Sequence, residues 1–232
     1  EADAIVVAGD FVHDNGHNAP AWTLFWQEYF RFEQAYGRMI PFIVCLGNHD
    51  GASFDENNNR QLLWYTFPES TKEAVTFMYN FFAGLSDVGY GAVDVGNVVD
   101  VGGYFSFVYL NSFHTAPVLG EQTTWLETVL SERQDRRVFP FFHVPPYPAY
   151  YNYNSNPFKD IREQWTPLFT QYGIKFVYSG HDHVNLVTKK VTGESHDENG
   201  AIYVIQHGLG NNTRGINIEP DEWFVDFLDI SN

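Results

Sequence analysis

Four short clusters along this chain carry side chains that can hold a metal ion: Gly9-Asp10, Gly47-Asn48-His49-Asp50, His143-Val144-Pro145-Pro146 and Gly180-His181-Asp182-His183. Asp offers a hard carboxylate oxygen, Asn a neutral amide oxygen and His an imidazole nitrogen. This mixture suits Fe, Zn, Mn or Co, and is poor for calcium, which takes an all-oxygen shell. Each cluster alone is a weak signal: Gly-Asp is a common turn, and a lone His at a strand end is more often hydrogen-bonded structure than a ligand. All four in chain order, each directly after an apolar run, make a much stronger one. The glycines let the chain turn sharply as it leaves a sheet, and let backbone approach a ligand closely.

The elements that must position these clusters can be read from periodicity. Short apolar runs rich in β-branched and aromatic residues predict strands over residues 4–8, 41–46, 104–110, 138–143, 174–179, 186–191, 201–206 and 223–230. A helix is expected after Asn18, with Pro20 in its first turn, Trp22, Phe25, Tyr29, Phe32 and Tyr36 on one face, and Gly37 as its stop. Further helices are expected over about 121–134, with Trp125, Leu126, Val129 and Leu130 facing the core, and over about 158–172, kinked by Pro167 and ended by Gly173. The polar segment 53–59 and the Tyr-, Asn- and Pro-rich segment 145–157 read as loops. Strand–helix–strand order in the first half implies parallel pairing. The last three strands, with turns at Gly193 and Asn199-Gly200, imply antiparallel pairing. The fold class is therefore α/β, a mixed β-sandwich flanked by helices. Each metal-ligating cluster then falls at the end of a strand, where α/β sheets gather their sites.

These clusters resemble the successive motifs of the calcineurin-like metallophosphoesterase superfamily, a four-layer α-β-β-α fold, and the resemblance covers nearly the whole chain. Gln122-Thr123-Thr124-Trp125-Leu126, His143 to Tyr147 and Trp165 to His183 are most similar to its purple acid phosphatase branch. The resemblance implies a hydrolase of phosphate esters with two metal ions, Fe, Zn or Mn, whose bound hydroxide attacks phosphorus in line. Asp10 would bridge the ions. Asn48, His143 and His181 would complete the second site, and His183 would bind the first. His49 would sit beside the phosphate as general acid or as a charge on its oxygens. The family's opening Asp-x-His motif has no counterpart here, and the chain opens at once on a strand. The expectation is a single domain over residues 1–232, N-terminally incomplete, lacking the first strand and first metal motif, with one metal site well furnished and the other poorly. Such a fragment could be inactive. Where the purple enzymes carry a metal-ligating Tyr, this chain has His13, either a nitrogen ligand or a loop residue lining the site. Asp50 could orient a ligand or His49. His114 and His207, each after a strand, could face the pocket or be structural, and His17 and His196 read as solvated. Tyr147, Tyr150, Tyr151 and Tyr153 form either a substrate wall or a packing surface.

Bulk composition sets the remaining bounds. With 44% hydrophobic residues the chain can bury a sizeable core, and no run is long and apolar enough to span a bilayer. A net charge of −16 argues against binding a nucleic-acid backbone, because phosphates need Lys and Arg partners. The expected partner is a small phosphate ester or a phosphorylated substrate. The single Cys45 permits no internal disulfide and reads as a small core residue. Low lysine and high Asn and Tyr content, with the purple-phosphatase resemblance, point toward a secreted or extracytoplasmic protein. A phosphodiesterase, for example on cyclic nucleotides, fits the same metal core. A non-catalytic scaffold on the phosphoesterase fold is the reading from a different class.

Overall fold

The computed structural model describes residues 2–13, 16, 18–54, 57, 59–62, 64, 75–82, 97–208, 214–219 and 221–229. Strands β1 (Ile5–Val7) and β2 (Phe42–Val44) pair in parallel as a small sheet, joined by helix α1 (Ala19–Tyr36). Two short strands, β3 (Ser53–Phe54) and β4 (Arg60–Gln61), form an antiparallel pair. Helix α2 (Thr76–Phe81) follows. Then come β5 (Asn97–Val101), β6 (Phe105–Tyr109), helix α3 (Glu121–Ser131), β7 (Arg137–Phe141), helix α4 (Phe158–Gln171) and β8 (Phe176–Ser179). The chain closes with β9 (Asn185–Thr188), β10 (Val191–Thr192), β11 (Ser195–His196), β12 (Ile202–Ile205) and β13 (Val225–Asp229). Seven strands make the main sheet in the order β13-β9-β12-β8-β7-β6-β5. The β6·β7, β7·β8 and β12·β8 pairs are parallel, whereas β5·β6, β12·β9 and β13·β9 are antiparallel. The mixed sheet expected from the order of elements is the one observed.

Two cores flank this sheet. One lies under α3 and α4, where Leu126, Leu130, Ile161, Trp165 and Phe169 pack on Val108, Val138, Val177 and Tyr203. The other gathers Trp22 and Phe25 of α1, Ile43 and Val44 of β2, Cys45, and Phe107, Tyr109 and Phe141 from the opposite face of the main sheet. The layers therefore run helix, small sheet, large sheet, helices. Cys45 is buried, as expected.

Helix α1 begins and ends as its sequence dictates. The Asn18 side chain accepts a hydrogen bond from the Ala21 N–H, and Gly37, at φ 79°, donates its own N–H to Glu33. Its buried stripe is shorter than the apolar spacing implied. Trp22 and Tyr29 are buried with Phe25 and Trp26 beside them, while Phe32 and Tyr36 are exposed and stack on each other. The reason is length: α1 runs roughly 27 Å at 1.5 Å per residue, and a three-residue strand covers only about 10 Å of it. The chain passes through Pro167 within one continuous α4. The segment 53–59, expected as loop, contributes a strand at Ser53–Phe54. The β10–β11 hairpin splits what reads as one strand over 186–191, with Gly193 at φ 55° in its turn. His17 lies outside the described residues.

Candidate metal centre

Gly9-Asp10 follows β1, Gly47-Asn48-His49 follows β2, His143 follows β7 and Gly180-His181 follows β8. Within each pair the strands run parallel, so their carboxyl ends open on one side. Two glycines make the approach of the first two loops possible. Gly9 takes φ 83°, and a Cβ there would lie 2.7 Å from the Gly47 Cα; a Cβ on Gly47 would overlap the amide nitrogen and carboxylate of Asp10. Asp10, His181 and His183 are three of the four described non-glycine residues with positive φ (57°, 69° and 55°). Backbone strain of this kind costs about 1–3 kcal/mol per residue and persists where surrounding structure overdetermines it.

The atoms meet. Asp10 Oδ2 is 3.0 Å from His143 Nε2, Asn48 Oδ1 is 2.9 Å from His143 Nε2 and 3.0 Å from His181 Nδ1, and the two imidazole nitrogens are 3.1 Å apart. The ligand atoms of Asp10, His143 and His181 all lie within 4.8 Å of one another. Asn48, His143 and His181 are buried. His143 Nδ1 is 2.7 Å from the carbonyl oxygen of Ala8, which can only accept, so Nδ1 carries a proton and Nε2 turns its lone pair to the cluster. A carboxylate oxygen and an imidazole lone pair at 3.0 Å repel unless a cation stands between them. Burial works against charge on His143, but the Asp10 carboxylate outweighs it and raises the imidazole above its ordinary value. Asp10 shows the reverse: burial raises it, but His143 and His49 hold it well below the carboxylate range. The donor set is thus two imidazole nitrogens, a carboxylate and an amide oxygen, which fits a first-row transition metal.

The surrounding residues hold these ligands in place. The buried Asp50 carboxylate accepts from the N–H groups of Asp10 and Gly47, both at 2.8 Å, and of Phe11 at 2.6 Å, tying the first two loops together. The His49 N–H donates to Asp10 Oδ1 at 2.9 Å. The His49 ring stacks on that of exposed His13, centroids 5.4 Å apart. Burial holds the His49 imidazole below its ordinary value. His114 is buried, its ring 5.4 Å from that of His143 and its Nε2 3.3 Å from Ser112 Oγ. His183 stands outside the cluster of three, and its ring lies 6.2 Å from that of His207. The structure therefore gathers Asp10, Asn48, His143 and His181, with Asp50 and His49 beside them, and places the His183 ring by that of His207.

Several residues at the site were not singled out by sequence. Asp182, inside the fourth motif, accepts from the N–H groups of Ala149 and Tyr150, the latter at 3.1 Å. Burial raises its carboxyl to about 6 despite those donors. This fastens the loop after His143 so that Tyr151 lies flat on His181, with centroids 4.5 Å apart and planes 12° from parallel. Arg162 of α4 fastens the same loop. Fully buried, it donates to Pro146 O at 2.7 Å, to Tyr153 O at 3.0 Å and to Glu194 at 2.5 Å, and lies 3.6 Å over the Tyr153 ring. Ser112 Oγ accepts the Val144 N–H at 2.9 Å, and Arg214 donates to the His181 carbonyl at 3.2 Å. A Ser or an Arg without a motif around it gives no signal in sequence. The tyrosines left open between substrate wall and packing divide: Tyr147 is buried, Tyr153 carries Arg162, and Tyr151 backs His181 and also lines an adjoining cleft of about 450 Å³ with Tyr153, Trp223 and Phe224.

Comparison with known proteins agrees with this geometry. The chain is 25% identical over 227 residues to purple acid phosphatase 23 of Arabidopsis thaliana, covering 89% of this chain and 44% of that protein. It thus spans less than half the length of that curated relative. Its fold is similar to that of purple acid phosphatase PPD1 from yellow lupin seeds (TM-score 0.67, 15% identity, 99% of this chain and 41% of that one). It is also similar to PhoD (TM-score 0.71, 12% identity, 99% of this chain and 57% of that one). The calcineurin-like phosphoesterase family description matches residues 1–185, which hold all four clusters and the whole gathered ligand set, and the chain belongs to that family.

Proposed function

We propose that this protein is a phosphomonoesterase whose centre takes two metal ions, one of them held by Asp10, Asn48, His143 and His181. The observation that carries the reading is the convergence of those four side chains from four strand ends onto one point, with lone pairs facing each other. The ions, when bound, supply positive charge at the phosphoryl oxygens and an activated water. Asp10 would be the ligand shared between the ions; its Oδ2 faces the cluster, and its Oδ1 accepts the His49 N–H, which holds the carboxylate in place. His183, whose ring lies 6.2 Å from that of His207, is the candidate ligand for the other ion.

Burial holds the His49 imidazole below its ordinary value. An arriving phosphate brings negative charge, which raises the imidazole and equips it to donate to the leaving oxygen or to a phosphoryl oxygen. Asp50 and Asp182 keep the loops from drifting, so that the ligands stay where the ions need them. The 232 residues act as one domain. Its substrate is a small phosphate ester or a phosphorylated molecule, and its compartment lies outside the cytoplasm. Among the described residues no helix is long and apolar enough to cross a membrane.

The test is metal content by mass spectrometry together with turnover of p-nitrophenyl phosphate and its bis ester. Two equivalents of transition metal and a preference for the monoester support the reading. Preference for the bis ester moves the assignment to a phosphodiesterase on the same core. Metal-loaded protein that turns over neither ester removes the enzyme reading and leaves a binding role.

A further inference from the structure

Resting on the reading of this centre as a phosphoesterase site, we infer that Arg214 is a specificity residue that binds the outer, charged oxygens of a phosphate monoester. Its position carries the argument. Arg214 Nη1 donates to the His181 carbonyl oxygen at 3.2 Å and also to the Tyr151 hydroxyl, and the guanidinium carbon lies 5.3 Å from the ring centroids of both Tyr150 and Tyr151. The side chain is thus moored by one nitrogen to a candidate ligand and to the ring stacked on that ligand. A guanidinium has five N–H donors in a planar fork. The mooring uses Nη1 alone, and the Nε and Nη2 groups make no hydrogen bond to any described residue. They leave a bidentate fork, the geometry that matches two phosphate oxygens.

The buried guanidinium beside this loop makes the contrast. Arg162 spends Nε, Nη1 and Nη2 on Glu194, Pro146 and Tyr153, and has a structural task. Arg214 is half-buried, so its fork can be reached. Electrostatics point the same way. The chain carries a net charge of −16, and the centre itself contains Asp10, Asp50 and Asp182. A guanidinium at the edge of the centre adds fixed positive charge to that which the ions supply when bound. A monoester has charge to spare on its non-bridging oxygens. In a diester one of those oxygens is esterified, so the fork loses part of its partner.

The experiment titrates inorganic phosphate into metal-loaded wild type, Arg214→Met and Arg214→Lys by calorimetry, and measures kcat/KM for p-nitrophenyl phosphate and its bis ester. Loss of a charge-assisted bidentate contact predicts roughly 10- to 100-fold weaker phosphate binding in Arg214→Met. Arg214→Lys should recover part of it. The monoester-to-diester ratio should fall about tenfold, with metal content unchanged. Tyr151→Phe, which keeps the ring on His181 but removes an anchor of Arg214, should weaken phosphate in the same sense by a smaller factor, and reports even if Arg214→Met fails to fold. Phosphate binding and ester ratio within twofold of wild type in these variants overturn the inference. Loss of metal along with phosphate also overturns it, since Arg214 would then act only on His181. Wild type that takes up metal but binds no phosphate defeats the phosphoesterase reading itself.

Discussion

Replacing Asp50 tests whether one buried carboxylate holds the metal-binding loops together. Asp50 is fully buried and accepts three backbone N–H groups, from Asp10, Phe11 and Gly47. In Asp50→Ala all three lose their acceptor. A buried, unpaired N–H costs about 1–3 kcal/mol. The Gly47 N–H is buried and should cost about 2 kcal/mol by that measure, while those of Asp10 and Phe11 are partly buried and partly re-paired by water, at about 1 kcal/mol each. The expected loss is therefore about 4 kcal/mol, less the benefit of no longer burying a carboxylate. That benefit is real: burial and the Asp10 charge raise the Asp50 carboxyl to about 7. Asp50→Asn separates the terms. Its one oxygen can keep the Asp10 and Gly47 bonds, while its NH2 meets the Phe11 N–H, so about 1–2 kcal/mol should go. A carboxyl raised in the fold costs stability that grows as pH rises from its unfolded toward its folded value, so urea unfolding of the three proteins is read near pH 4, where little of that cost is present, and gives the order wild type, Asn, Ala. Metal affinity should fall in the same order. If Asp50→Ala unfolds within about 1 kcal/mol of wild type, the carboxylate does not tie the loops and the argument fails.

Three further outcomes follow from the same geometry. His143→Ala or His181→Ala should each release about one metal equivalent and abolish turnover, measured by mass spectrometry and by p-nitrophenyl phosphate assay, because each removes a nitrogen from the gathered set. His49→Ala should keep its metal and lose roughly a hundredfold in kcat; full activity would strip His49 of its role. Burial raises the Glu194 carboxyl, but hydrogen bonds from Tyr153 and Arg162 and the guanidinium charge outweigh it, and the net value lies below its ordinary 4.5. A carboxylate lowered in the fold adds stability above its unfolded value and loses it as pH falls through the folded one. Wild type should therefore exceed Glu194→Gln in thermal stability at pH 7, by a margin that shrinks on acidification below about pH 4.5, the ordinary value. Glu194 is more than half exposed, so solvent screening keeps that margin small. A margin independent of pH would show that the carboxylate charge contributes nothing.

The side chains that the structure gathers were legible in the sequence because their signals are local. A glycine, the strand before it and the ligand after it are neighbours in the chain, and one strand end implies the next. The ends of α1 were legible for the same reason, since a cap involves residues within one turn. The strands with uninterrupted apolar runs were found, but β5 was not. It pairs only with β6 at the edge of the sheet, is half-exposed, and carries Asn97 and Asp100 among its valines.

Tertiary structure alone decided which side chains attend the ligands. Asp182 reaches the Tyr150 N–H across 32 positions, Ser112 reaches Val144 across 32, and Arg214 reaches His181 across 33. Such contacts depend on which strands become neighbours, and no window of residues contains that information. Helical spacing gave Phe32 and Tyr36 an apolar face, yet only the extent of the sheet beneath α1 determines how many turns are covered. Identity and order of the donors belong to the sequence. Their separations, the lone pairs turned on one another, and the guanidinium at the edge belong to the packing of strands that the chain connects through helices.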